Sequence, residues 1–201
     1  MAIIVEHEKR RREILKQALI VFVETGFNDA TFQKIADRCG IKRTTLYIYF
    51  SNKKEIFNYS IKQLMAAIEA DILLVRHDTG MASIDKLITV LSVIMDRLEE
   101  NRTLLSVILD YLVYISKSEV DVDKLVRRRT IRMRHFLVMM VIEGMRAGEL
   151  ASVNARDAGA ILYGFLETAI FRLTVLRRPS VSELRQSAAL CVKGFAITPP
   201  Q

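Results

Sequence analysis

Only three prolines, two cysteines and three histidines occur among 201 residues, and each scarcity removes a class of protein from consideration. With so little proline, 51% hydrophobic residues and charges of both signs interspersed, a disordered polymer is excluded and an ordered, helical, soluble protein is expected. Cys39 and Cys191 stand far apart, and neither belongs to a Cys-x-x-Cys or Cys/His ligand spacing; both read as small buried or half-buried side chains. His7, His77 and His135 fall in three different predicted elements, with no nucleophile elbow, metal spacing or Gly-rich phosphate loop beside them. No catalytic residue, cofactor or metal is therefore expected. Long apolar runs are missing too: the longest, Phe136 to Ile142, is far below the ~18 residues of a membrane span. The opening Met-Ala-Ile-Ile-Val precedes the charged run Glu6-His7-Glu8-Lys9-Arg10-Arg11-Arg12, the reverse of a secretory signal, so a cytoplasmic location is expected.

Charge is present and unevenly placed. Residues 1 to 60 carry 11 Lys or Arg against 7 Asp or Glu, and the remaining residues carry 19 against 16. The basic density lies at the N-terminal end, which suits a polyanionic partner there.

Residues 31 to 57 explain that density. They read as two short helices around a glycine turn, followed by the start of a third. Thr31 is placed to cap the first helix by accepting from an otherwise unpaired backbone N–H, Ile35 and Ala36 form its inward face, and Gly40 permits the turn. The second helix presents Lys42, Arg43, Thr44, Thr45, Tyr47 and Tyr49 around an inward pair, Leu46 and Phe50. Such a pair of helices has the geometry of a helix-turn-helix DNA reader.

The ordered set Gly26-Phe27, Thr31, Ile35-Ala36, Gly40-Ile41, Thr45-Leu46-Tyr47, Tyr49-Phe50, Lys53 and Glu55-Ile56 resembles the tetracycline-repressor (TetR) family of bacterial transcription regulators. It covers roughly the first quarter of the chain. Two positions depart from the pattern: Phe32 stands where relatives often carry a small or hydroxyl residue, and Ile48 where many carry a polar one. The resemblance implies an all-α, nine-helix architecture. An N-terminal three-helix DNA-binding domain at 8–52, with the helix-turn-helix at about 32–51, would precede a helical effector-binding and dimerisation domain at 53–197. It also implies a ligand-responsive regulator, a repressor that binds a palindromic operator in double-stranded DNA as a homodimer and is released by a small molecule. The rival is an all-helical small-ligand carrier or enzyme whose helix-turn-helix resemblance is incidental.

Hydrophobic periodicity places the other helices. The first is expected from about Glu8 to Glu24, with Ile14, Leu15, Ala18, Leu19 and Phe22 on one face. The fourth opens near Asn52 and runs to about Val75. After the polar break His77-Asp78-Thr79-Gly80, the stripe Ile84, Leu87, Ile88, Leu91, Ile94, Met95 and Leu98 marks a fifth, and Leu104, Leu105, Ile108, Leu112 and Ile115 a sixth. Beyond the polar stretch Ser116 to Asp121, a long seventh helix reaches about Arg146 and ends at Gly148. There the run from Glu143 to Leu150 again resembles the family, in its Gly-x-x-x-Gly-Glu spacing. Asn154 is a plausible N-cap for the eighth helix, expected to run to about Arg177 and to stop at Pro179. Ser180-Val181-Ser182-Glu183 has capping-box spacing for the ninth, ending near Phe195.

Operators are read at base edges and held at phosphates. Arg43, at the start of a recognition helix, can donate two bonds to a guanine edge, worth ~1–3 kcal/mol of discrimination. Lys42 and Thr44 flank it, and Gln33 can read a base at the groove edge. Lys53 opens a helix whose free N–H groups and dipole favour an anion, so a phosphate clamp is expected there. The matching family positions imply that Thr45, Tyr47 and Tyr49 reach phosphate oxygens or thymine methyls. Lys9 to Arg12 either reach a minor groove as an arm or form a solvated helix start. Arg128, Arg132 and His135 share one helix face; they hold an anionic effector, lie solvated, or pair with acids such as Asp96, Glu99 and Glu100. Met133, Phe136, Met139, Met140, Tyr111, Tyr114 and Tyr163 either line an apolar effector pocket of the kind the family uses or are ordinary core, so no ligand contact is assigned. The effector itself is expected to be an apolar or amphipathic small molecule. Homodimerisation, as the resemblance implies, would use helices near 155–177 and 181–195. Ala155, Ala158, Leu162, Phe165, Leu166, Ala169 and Leu173 lie on one face of the first, and Leu184, Ala188, Cys191 and Phe195 belong to the second.

Overall fold

Apolar residues three and four apart, with proline absent from every helix interior, leave this chain one regular way to bury its surface, as packed helices. The computed structural model describes residues 2–117, 121–178 and 180–197, with side chains for all of these except 2–5 and 122–125. Among the described residues there are nine helices: α1 (Ala2–Asp29), α2 (Phe32–Arg38), α3 (Arg43–Leu46), α4 (Lys53–His77), α5 (Ser83–Glu100), α6 (Arg102–Ser116), α7 (Val122–Arg146), α8 (Ala155–Thr174) and α9 (Ser182–Gly194). An antiparallel bridge joins Leu150 to Ala196. No helix among these residues is long and apolar enough to cross a membrane. The chain divides into two compact units: one of residues 1–65 and 103–120, the other of 66–102 and 121–201.

The first unit is built on α1. This helix starts at Ala2, earlier than periodicity places it, and is interrupted at Gly26 before one further turn to Asp29. Ile14, Leu15, Ala18, Val21 and Phe22 are buried, as are Ile35 and Ala36 of α2 and Ile56 and Phe57 of α4. The Phe27 ring meets Phe22, Phe57 and Tyr111 of α6 with centroids 5.4, 5.0 and 4.7 Å apart. Aromatic pairs of this kind add about 0.5–1.5 kcal/mol each beyond their buried area. Residues 118–120 of the polar stretch expected between α6 and α7 lie outside the described residues.

In the second unit the stripe of α5 is the centre: Leu87, Val90, Leu91, Ile94 and Met95 are all sealed from solvent. α7 and α8 approach closely at Gly159, where a Cβ would stand 2.5 Å from Val138 Cγ2 and 3.2 Å from its backbone nitrogen, so only glycine fits. Asn154 caps α8 by accepting from Arg156 N–H. α8 stops at Thr174, short of Arg177, with the N–H groups of Val175 and Leu176 both on the Phe171 carbonyl. Pro179, expected to stop it, lies outside the described residues.

The capping box expected at α9 does not form. Ser180 Oγ accepts from Ser182 N–H at 3.2 Å, but Glu183 lies beside Arg172 instead of reaching back. Glu99 of α5 takes that role: its carboxylate accepts from Val181 N–H at 3.2 Å and from the Arg185 guanidinium. Asp96 is also paired with Arg185, and Glu100 with Arg97, which in turn holds Asp71 at 2.6 Å. The acids considered for Arg128, Arg132 and His135 are thus engaged with other partners.

Candidate nucleic-acid interface

The reader is built from short-range interactions. Thr31, extended at φ −106°, accepts from Lys34 N–H at 3.1 Å and so starts α2. At its far end the Gly40 N–H returns to Asp37 O and the Ile41 N–H to Ala36 O, with Gly40 at φ 63°, a conformation an L side chain strains to adopt. Lys42 then enters α3, a single helical turn continued by bonds from Ile48 to Thr45 and from Phe50 to Leu46. Leu46 and Phe50 are fully buried, which fixes what faces outward. Lys42, Arg43, Thr44, Tyr47 and Ile48 are exposed; Thr45 and Tyr49 are half-buried.

Two aromatic contacts stiffen this surface. Phe32 is buried and its ring lies 4.8 Å from that of Tyr47, so the bulky residue props the tyrosine outward. Tyr47 OH accepts from Arg43 Nη2 at 3.1 Å, leaving the remaining guanidinium donors free to meet a base edge. Tyr49 stacks on His7 of α1, centroids 4.7 Å apart. Gln33 is exposed but donates to Asp37 Oδ1 at 2.7 Å, a bond it must exchange to read a base.

Lys53 is placed differently from the expected clamp. Its Nζ donates to the carbonyls of Phe27, Asn28 and Ala30 at 2.9, 2.6 and 2.8 Å, so all three ammonium donors are engaged at the end of α1. Burial pushes this ammonium below the ordinary lysine value, with the charge of Asp29 acting against the shift. The start of α4 is closed by a pair that sequence reasoning missed, although the Asn-x-x-Glu spacing carries its signal. Asn52 Oδ1 accepts from Glu55 N–H at 2.9 Å, and Glu55 accepts from Ser51 N–H at 2.6 Å. The bonds from Ser51 hold the Glu55 carboxyl below the usual carboxylate range.

Lys9 to Arg12 are helical, which removes the extended arm. Arg10 pairs with Glu13 at 2.7 Å. Arg11 lies over Phe50 and Tyr59, at 4.9 and 4.3 Å from the ring centroids, with Glu8 and Glu55 nearby. It fastens α1 to the end of the recognition segment.

The chain's first unit has the order, caps and buried pair of a bacterial regulator's DNA-binding domain, and the comparisons agree. Residues 14–59 match the family described as "Bacterial regulatory proteins, tetR family". That segment is a TetR-family DNA-binding domain. Over 66 residues it is 35% identical to the HTH-type transcriptional regulator SrpR of Pseudomonas putida, a stretch covering 33% of this chain and 31% of SrpR's length. It is 26% identical to the HTH-type transcriptional regulator YfiR of Bacillus subtilis, over 94% of this chain and 93% of that protein. A TetR transcription regulator from Haloarcula marismortui shares the fold, with a TM-score of 0.73 at 19% identity, covering 94% of this chain and 100% of that one.

Outside that segment the chain shows less of a site. Tyr111 joins the aromatic cluster of the first unit, Tyr114 is exposed, and in the second unit Tyr163 OH donates to Thr130 Oγ1 at 3.2 Å. Met140 is buried, and Met133, Phe136 and Met139 are half-buried. An open depression of about 500 Å³ lined by Ile142, Met145, Arg146, Leu150, Ser152 and Ile197 includes none of them. No group of three or more His, Cys, Asp or Glu among the described residues could hold a metal ion.

Proposed function

We propose that this chain is a cytoplasmic DNA-binding transcriptional regulator, a repressor that occupies a palindromic operator as a homodimer and is released by a small molecule. The observation that carries the reading is the exposed row Lys42, Arg43, Thr44 and Tyr47, held outward by the buried Leu46 and Phe50. Arg43 reads a guanine edge, and Gln33 a second base once it leaves Asp37. Thr31, Lys42, Thr44, Thr45, Tyr47 and Tyr49 meet phosphates or thymine methyls. Lys53 contributes its positive charge to backbone attraction from its seat on the α1 carbonyls. Residues 8–52 serve as the reader, and 53–197 for dimerisation and effector binding. Repression requires only that the operator be occupied.

The dimer rests on α8 and α9. Ala158, Leu162, Leu166, Ala169, Leu173 and Leu184 are buried within the chain. The residues that support a second copy are those left outside: Ile161 at 51%, Phe171 at 51% and Leu190 at 72% exposure. Gly164, inside α8, has nothing within 4 Å of a Cβ position, so no close neighbour among the described residues accounts for a residue that weakens a helix. A helix from a second copy would. Two readers must then stand about 34–36 Å apart, or at a compatible multiple, to enter successive major grooves. An apolar or amphipathic effector in the second unit releases DNA only if it binds the released state more tightly.

Selecting fragments from a random DNA pool and sequencing them tests the reading directly. A palindromic consensus is expected, and Arg43→Ala should lose preference at one base pair per half-site, by about 1–3 kcal/mol. A protein that binds no duplex of any sequence would overturn it. Sedimentation should show a dimer that Phe171→Asp with Leu190→Asp converts to a folded monomer.

A further inference from the structure

Arg127, Arg128, Arg129, Arg132 and Arg134 crowd the first half of α7, and all five are exposed. None of their guanidinium groups has a hydrogen bond or ion pair among the described residues. The acids nearest in character are occupied, Asp96 and Glu99 by Arg185 and Glu100 by Arg97. Arg128 and Arg132 are like charges four residues apart, a pairing that destabilises a helix and that nothing described in the chain offsets.

The inward side of α7 is fixed by buried Leu137 and by Thr130, which accepts from Tyr163. At 3.6 residues per turn the five guanidinium groups fan over roughly 200° of the opposite side. They do not converge. A small anion would meet one or two of them and leave the rest uncompensated, whereas Arg128, Arg129 and Arg132, which share one side of the helix, can face successive phosphates of a long polyanion, with the others at its margins. The chain leaves the reader's unit at residue 120, and the arginines begin about two helical turns later. Once the reader is seated, the ridge is therefore tethered to the same DNA molecule at high effective concentration.

We propose that this arginine ridge is a second, sequence-independent contact for the phosphate backbone of duplex DNA flanking the operator. It rests on the DNA-binding reading above. It adds affinity and salt dependence without changing which sequence is read.

The test compares the selected operator as two duplexes, one trimmed to the operator and one extended on both sides by unrelated sequence. The full-length wild type should bind the extended duplex more tightly. Its log affinity should also fall more steeply with log salt, by roughly 0.9 for each added phosphate contact. The triple variant Arg127→Gln, Arg128→Gln, Arg132→Gln should bind both duplexes equally and select the wild-type consensus. The matching triple Arg→Lys variant keeps the charge and should keep the preference for flanks. Equal wild-type affinity for the two duplexes overturns the ridge while leaving the reader intact, and wild type that binds neither duplex overturns the reader as well. Pyrophosphate binding that the Gln variant loses, without any flank effect, would replace the inference with a small-anion site.

Discussion

At the end of α1 an ammonium gathers carbonyls, and at the start of α5 a carboxylate gathers amides. Lys53 donates to Phe27, Asn28 and Ala30; Glu149 accepts from Ile84 N–H at 2.9 Å. The signs follow the helix dipole, whose C-terminal end is negative and N-terminal end positive. The two differ in how completely the charge is used. Lys53 is half-buried with every donor satisfied, so it ties α4 to α1 inside the reader's unit. Glu149 sits just past Gly148 in the Gly-x-x-x-Gly-Glu run, where the bonds from Ile84 and Ser83 hold its carboxyl below the usual range. Its second unit could lose that bond and keep a core centred on α5. A charge that closes a helix end thus matters in proportion to how many orphan groups depend on it.

Lys53→Met should break the comparison most severely, since it leaves three carbonyls without their partner. A loss of about 2–3 kcal/mol in urea unfolding is expected. Lys53→Arg should recover only part of it, because a planar fork cannot serve three converging carbonyls. The same variants decide what Lys53 does on DNA. If it bonds a phosphate directly, the salt slope falls by about 0.9 per contact; if it serves only as a cap, the slope holds once folding is accounted for.

Glu149→Gln should cost about 1 kcal/mol at neutral pH. Because the folded-state carboxyl is depressed, its contribution is present above the ordinary glutamate value and lost as pH falls through the folded-state value. Thermal melts of wild type and variant should accordingly converge in acid. A gap that persists there would show that packing, not charge, is responsible.

Asn52→Ala removes the local cap of α4 and should cost roughly 1 kcal/mol. The smallest effect belongs to Lys34→Ala. Lys34 donates from an exposed position to Asp29 O at 3.1 Å, a single bond near the same helix end. Less than about 0.5 kcal/mol is expected, which would separate a sealed three-bond cap from a solvated one-bond contact.

What the sequence made legible was local. Thr31, Gly40, Leu46 and Phe50 announce their roles within a few residues of their partners, and the α5 stripe repeats its own period. Interactions closed over long separations gave no such signal. Lys53 meets carbonyls some two dozen positions earlier, Glu99 caps a segment beginning at Ser180, and Arg11 rests on Phe50 and Tyr59. A lysine at a helix start reads as a phosphate ligand because the dipole argument sees only its own helix. The α8 face illustrates a different limit. An apolar stripe has the same pattern whether it meets α7 or a second chain, and only burial separates Leu166 from Phe171.

The stacking of Tyr49 on His7 has an optical consequence. The sequence holds no tryptophan and six tyrosines, so the protein's near-ultraviolet emission is tyrosine emission alone. Two of the six, Tyr47 and Tyr49, lie on the face assigned to DNA, one against Phe32 and the other against an imidazole. A change in either neighbour alters how that ring absorbs and emits, without a label and without a substitution. The molecule carries its own probe at the surface where its function is proposed to occur, and a fluorescence titration with duplex DNA would read it.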